Sequence, residues 1–291
     1  MNDRLACIDE MAVDHGKSLA HVAPEEPLAH VAYLHDGTLE GLMCAIFMAY
    51  QRHEQPEDIQ DERSYQPRLM QSALYVSTDY ERALRVRRGI EREAGSAAFG
   101  AVVRAAAADD PQAGMVVYRF VRYVMDRSVK RDQKRSVLSD LANPIIDDLV
   151  RLEHRTSCEA ERMRQFIRFS HCEGGLWFAR CNPTCSVVPL VMRYFVARFN
   201  TQPFIIYDEN HHLAGIYNGN DWQLVDGEAT DVPIPTADDA YQQALWQRFY
   251  DSLTIEARYN PELRRHFMPV RLWKNLPEML PRASRMLSTR G

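Results

Sequence analysis

The sequence predicts an α+β fold, with a mainly antiparallel sheet packed against several helices in a single domain. Two observations carry that expectation. Strand-like runs are separated by pairs of helical stretches, and the clearest strands are joined by tight turns. A third sets the limits: the chain of 291 residues shows no internal repeat, no low-complexity segment and no linker that divides it.

Residues 1–27 are polar and aperiodic, and read as a disordered leader. The domain itself is expected over 28–281, with a tail at 282–291. AHVAYLHD, from Ala29, has the pattern of a short strand. DGTLEGLMCAIFMAYQRH then reads as a helix with Asp36 or Thr38 as its cap. The stretch from Pro56 to Pro67 reads as a charged loop. SALYVSTD predicts a second strand, and Asp79 is placed to cap a helix through YERALRVRRGIERE.

Residues 97–165 form a helical middle. MVVYRFVRYVMDRSVKR is one element, and a long amphipathic helix begins near Pro144, where the missing N–H costs nothing. The period then changes. GGLWFARC follows a Gly-Gly turn as a strand, VVPLVMRYFVARFN reads as a helix, and PFIIYDENHHLAGIYNGNDWQLVD reads as a hairpin or meander. A final amphipathic helix carries Leu245, Phe249 and Leu253 on one face.

Composition excludes several classes. A 46% hydrophobic share with 26% charged residues is that of a globular protein with a full core. The longest apolar run, Gly41 to Tyr50, is too short to span a bilayer, and the N-terminus lacks a signal-peptide pattern. Six scattered cysteines suit free thiols in a reducing compartment, so the expected location is cytoplasmic, with no membrane partner.

The net charge of −5 conceals an uneven distribution. Residues 1–62 carry 13 acidic and 3 basic side chains. Residues 119–135 carry 7 basic against 2 acidic, and residues 262–291 repeat that balance. Two local patches could therefore meet a polyanion, and in the first of them Arg127, Lys130 and Lys134 are the candidate phosphate contacts. Either patch could equally be a solvated helix face.

Three carboxylates are candidates for chemistry. Asp36 and Glu40, spaced i and i+4, could hold a divalent cation or share a proton. The alternative is that Asp36 caps the helix while Glu40 lies near its positive end. Asp208 ends an apolar strand, a position suited to a catalytic acid and also to the start of a turn. His211 and His212 are adjacent, so they point to opposite sides of an extended chain. Cys181 and Cys185 form one CNPTC pair without the second knuckle of a structural zinc site, and no metal or other cofactor is expected. There is no phosphate-binding glycine loop, nucleophile elbow or H-E-x-x-H. Catalytic residues beyond the three carboxylates are not legible, and whether the chain is an enzyme is left open.

The cationic, aromatic residues offer the positive signal. Arg162 and Arg168 stand beside Phe166 and Phe169, while Arg258, Asn260, Arg271 and Trp273 follow the last long helix. Guanidinium forks match phosphate oxygens, and nearby rings can stack a displaced base. The same arginines could instead bridge to buried carboxylates, Arg258 to Asp208 or Glu40 among them.

Several blocks together, YLHDGTLEGLMCAIFMAY, ALYVSTD, ERMRQFIRF, GGLWFARCNP, YFVARFNTQPFIIYDE and TIEARYNPELRRHFMPVRLW, carry a resemblance. The chain resembles a bacterial family of DNA-metabolism and DNA-repair proteins, a domain of unknown function, from about Val31 to Glu278. The resemblance implies association with a radical-SAM protein of DNA modification or repair, and in some relatives fusion to a uracil-DNA-glycosylase-like domain. Valine stands at position 188, where a radical-SAM cluster continuing Cys181 and Cys185 would need a third cysteine. Relatives carry a basic residue and a tyrosine where this chain has Val270 and Leu272.

The expected function is a nucleic-acid-binding partner of that radical-SAM protein, acting on single-stranded or damaged DNA. One alternative is a metal-dependent hydrolase or nuclease using Asp36, Glu40 and Asp208. Another is an adaptor that meets only proteins. Arg168, Asp208, Arg258 and Asn260 are expected to meet around one positive cleft.

Overall fold

In the first part of the chain, β1 (Val31–His35) is buried along its whole length, as a strand covered on both faces must be. The computed structural model describes residues 30–126, 136–227 and 233–280, with the side chain of residue 256 left out. The expected leader at 1–27, the tail at 282–291, and Arg127, Lys130 and Lys134 lie outside the described residues. Two compact units are present, Met1–Ser157 and Cys158–Gly291.

The first unit is built on a three-stranded sheet in the order β2-β1-β3, with β2 at Asp58–Asp61 and β3 at Ser72–Tyr75. Both pairings are parallel. Helix α1 (Leu39–Gln51) makes the crossover from β1 to β2, a connection that parallel strands require. Thr38 caps it by accepting from the Gly41 amide at 3.0 Å. Helix α2 (Tyr80–Ala94) starts at Asp79, which accepts from the Arg82 amide, and stops at Gly95, whose φ of 88° suits glycine. Helices α3 (Ser96–Ala106) and α4 (Ala113–Met125) complete the layer. Ile46, Ile90, Val102, Phe120, Ile146 and Leu149 form a core with no exposed surface. At Gly114 a Cβ would collide with the carbonyl oxygen of Ile59, so glycine lets α4 lie directly on β2.

Helix α5 (Pro144–Phe166) contains the boundary between the units. Asn143 caps it, its side chain accepting from the Ile145 amide at 3.0 Å, and Pro144 needs no donor there.

The second unit holds a five-stranded sheet in the order β4-β5-β6-β7-β8. Its strands are Ser170–Cys172, Leu176–Cys181, Phe204–Asp208, Leu213–Tyr217 and Trp222–Asp226. Strands β6, β7 and β8 form the meander, while β5 and β6 run parallel because α6 (Val188–Phe199) crosses between them. Phe195 and Phe199 of α6 pack ring to ring with Phe169 and Phe204, with centroids 4.6 to 6.5 Å apart. Helix α7 (Ala237–Leu253), α8 (Pro261–Phe267) and 3-10 turns at Val270–Asn275 and Pro277–Met279 close the described chain.

The α+β class holds, but the sheets are not mainly antiparallel. Among the described residues, the β1–β2, β1–β3 and β5–β6 pairings are parallel, as many as run antiparallel. The charged loop read at Pro56–Pro67 contains β2. Its Asp58 looks like loop chemistry, yet it is buried and satisfied by the Ile59 amide, Gln60 and Arg68. Strand β4 was hidden directly behind α5. Among the described residues, no helix is long and apolar enough to cross a membrane.

Candidate nucleic-acid interface

The carboxylates at the start of α1 belong to the helix terminus. Asp36 accepts from the Thr38 amide (3.0 Å) and hydroxyl (2.6 Å), and from the Thr78 hydroxyl (2.7 Å), tying the end of β1 to the segment after β3. Burial alone would raise its pKa, but these hydrogen bonds outweigh burial and hold it below the ordinary carboxylate value. Glu40 lies in the first turn of α1, where the helix dipole favours it. Thr38, and not Asp36, is the cap. Asp36 and Glu40 belong to the first unit and Asp208 to the second. Among the described residues, no three His, Cys, Asp or Glu side chains are grouped to hold a metal ion.

Asp208 is fully buried and begins the turn after β6. One oxygen accepts from the Asn210 and His211 amides, at 3.0 and 3.2 Å, and the other lies 2.7 Å from His211 Nδ1. Next to it across the β5–β6 pairing, the buried Cys181 donates to the Tyr207 carbonyl. Burial first, and then Asp208, Glu209 and Glu159, push that thiol well above its ordinary pKa, so it is a protonated packing residue at neutral pH.

Two of the expected DNA-contacting arginines are drawn to a carboxylate. Glu159 on α5 is 1% exposed. Arg271 Nη2 reaches both of its oxygens, at 2.7 and 2.8 Å, while Arg162 lies at 3.3 Å and the Thr184 amide at 2.9 Å. Arg271 also donates to the Asn182 carbonyl, and the Asn182 amide donates back to the Arg271 carbonyl. This closed network fastens the turn at Val270–Asn275 to the ends of α5 and β5. Arg271 is therefore a structural anchor, and Arg162 keeps one exposed flank.

Arg168 pairs with Glu278 at 2.8 Å and donates to the Gln165 and Ile167 carbonyls. The other Glu278 oxygen accepts from Trp246 on α7 at 3.0 Å. This carboxylate stands at the edge of an open groove of about 870 Å³ bounded by the end of α7, α8 and the last two 3-10 turns. Its lining includes Arg258, Tyr259, Asn260, Arg264, Phe267 and Trp273. Asn260 caps α8, accepting from the Leu263 amide at 3.0 Å, and so fixes the bend that opens the groove.

Inside the groove, Arg264 lies near two rings and donates from Nη2 to the Tyr259 hydroxyl at 3.3 Å. Its guanidinium carbon is 5.3 Å from the Tyr259 centroid and 5.2 Å from that of Trp273. Trp273 is held by a hydrogen bond to the Met268 carbonyl, whereas Tyr259 is 57% exposed. Arg258 is exposed and makes no ion pair among the described residues. Thus Arg258, Asn260 and Trp273 share one groove, and Arg168 reaches its edge through Glu278. Asp208 is not part of its lining, so the expected four-residue cleft does not form. Tyr259 and Glu278 went unread in the sequence; Tyr259 lies within an Arg-Tyr-Asn triplet, but its exposure is set by the bend at Asn260. Along α7, Tyr241, Leu245, Phe249 and Leu253 form an exposed apolar stripe at four-residue spacing.

A family model described as a domain of unknown function (DUF4130) matches residues 111–278, more than half of the chain. The match takes in α4, α5 and the groove, and leaves the HDGT segment outside it. No curated protein matches the chain.

Proposed function

This chain belongs to the DUF4130 family of domains of unknown function, and on that premise we propose that it binds DNA in the groove beside α8. The observation that carries the reading is the exposed Arg258, which has no ion pair among the described residues and shares a groove with Arg264 and the Tyr259 and Trp273 rings close to it. A guanidinium grips a phosphate with paired donors, and exposed rings offer surface to bases. We place it in DNA repair or modification, beside a radical-SAM protein, as the resemblance of its sequence blocks implies. Free thiols at Cys44, Cys172 and Cys181 fit a reducing cytoplasm.

The exposed apolar stripe on α7 supports a second reading, in which the chain is an adaptor for a protein partner. The two readings part on salt. Binding of a labelled oligonucleotide should weaken as salt rises, and Arg258→Glu should lower the log–log slope by about one. Fluorescence anisotropy at several salt concentrations measures both. A slope that Arg258→Glu leaves unchanged removes this groove from the phosphate path. The metal-dependent hydrolase reading has no such support, because Asp36 and Asp208 are each spent on a turn.

A further inference from the structure

We infer that the groove takes single-stranded nucleic acid, with an unpaired base stacked on the outer face of Tyr259 and the adjoining phosphate on Arg258. This rests on the DNA-binding reading and narrows it. Trp273, Arg264 and Tyr259 form a cluster whose inner end is fixed, since Trp273 is hydrogen-bonded to Met268, and Arg264 lies within 5.3 Å of both ring centroids and donates to the Tyr259 hydroxyl at 3.3 Å. The outer end is not covered: Tyr259 is more than half exposed and faces the groove. Such a cluster is already ordered, so a base that adds to it pays little to arrange the rings.

Three features select a single strand. A ring platform needs the face of a base, and in a duplex those faces are covered by neighbouring base pairs. The groove's volume falls within the range of about 300–1,000 Å³ typical of small-ligand sites, which suits one or two nucleotides and not a double helix. Its walls are largely apolar, with Leu253, Ile255, Leu263 and Phe267 exposed around Arg258 and Arg264, while the carboxylates Asp251 and Glu278 also line it, Glu278 paired with Arg168. A surface tracking duplex phosphates would need a longer run of cations.

The test uses the full chain, a fluorescent short oligothymidylate and a duplex of equal length. Single strand should bind more tightly than duplex. Tyr259→Ala should weaken single-strand binding by roughly 5- to 150-fold, the loss of one stacked base. Tyr259→Phe keeps the ring and loses only the hydroxyl that accepts from Arg264 at 3.3 Å, so it should bind within about twofold of wild type, and its unchanged circular dichroism shows that the fold survives. Equal affinity for duplex and single strand, or a Tyr259→Ala variant that binds normally, overturns the inference while leaving DNA binding in place. A Tyr259→Phe variant as weak as Tyr259→Ala overturns it as well, because stacking would not be the cause. If neither nucleic acid binds, both the inference and the reading beneath it fall.

Discussion

Replacing Glu159 with alanine is expected to destabilise the second unit by about 3–5 kcal/mol, the usual cost of breaking one partner of a buried ion pair. The carboxylate is nearly inaccessible, yet it satisfies Arg271 at both oxygens, the Thr184 amide and one side of Arg162. Its loss strands a guanidinium that is only 28% exposed, and frees the turn that carries Trp273. Arg162→Ala is the internal contrast. That side chain is 42% exposed, so its ion pair should contribute at most about 1 kcal/mol. All four tryptophans lie in the second unit, which makes their fluorescence during denaturant unfolding a selective probe of it. A loss below about 1 kcal/mol for Glu159→Ala would mean that the network does not hold the turn.

In the first unit the largest effect is expected at Gly114. Alanine is ordinarily favoured over glycine in a helix by about 1 kcal/mol, so Gly114→Ala would stabilise an unconstrained helix. Here the added methyl group meets a backbone oxygen of β2, and no side-chain rotation relieves the contact. Either α4 or β2 must shift, at a cost of about 1–3 kcal/mol. Far-UV circular dichroism follows this unfolding, since the first unit contains no tryptophan. A stabilised variant would contradict the placement of α4 on β2.

Elements whose signals are local were legible in the sequence. Asp79 marks the start of α2, Pro144 lies in the first turn of α5, and the three strands of the meander alternate with polar turns. Partnerships set at long range were not. Strand β2 reads Asp-Ile-Gln-Asp, and only the packing of α4 on it turns a charged segment into a half-buried edge strand. Whether strands pair parallel depends on the helical crossovers that join them. The same limit applies to the arginines. Arg271 was legible as a cation, but Glu159 stands more than a hundred residues earlier, and only the fold assigns the one to the other. Arg258, Asn260 and Trp273, though not Arg271, line one groove, because the local bend through α8 keeps them together. Asp208, expected beside Arg168, Arg258 and Asn260, does not join them because two turn amides and the His211 ring satisfy it first.

The central claim is that the groove beside α8 is where nucleic acid meets this protein. Photo-cross-linking of the full chain to an oligonucleotide carrying a photoreactive thymidine, followed by mass-spectrometric mapping, tests it most directly. The adducts are expected on Tyr259, Phe267 and Trp273, the rings that line the groove. Adducts confined to α4 and the basic stretch after it, with none on those rings, would contradict the claim and move the binding surface to the first unit.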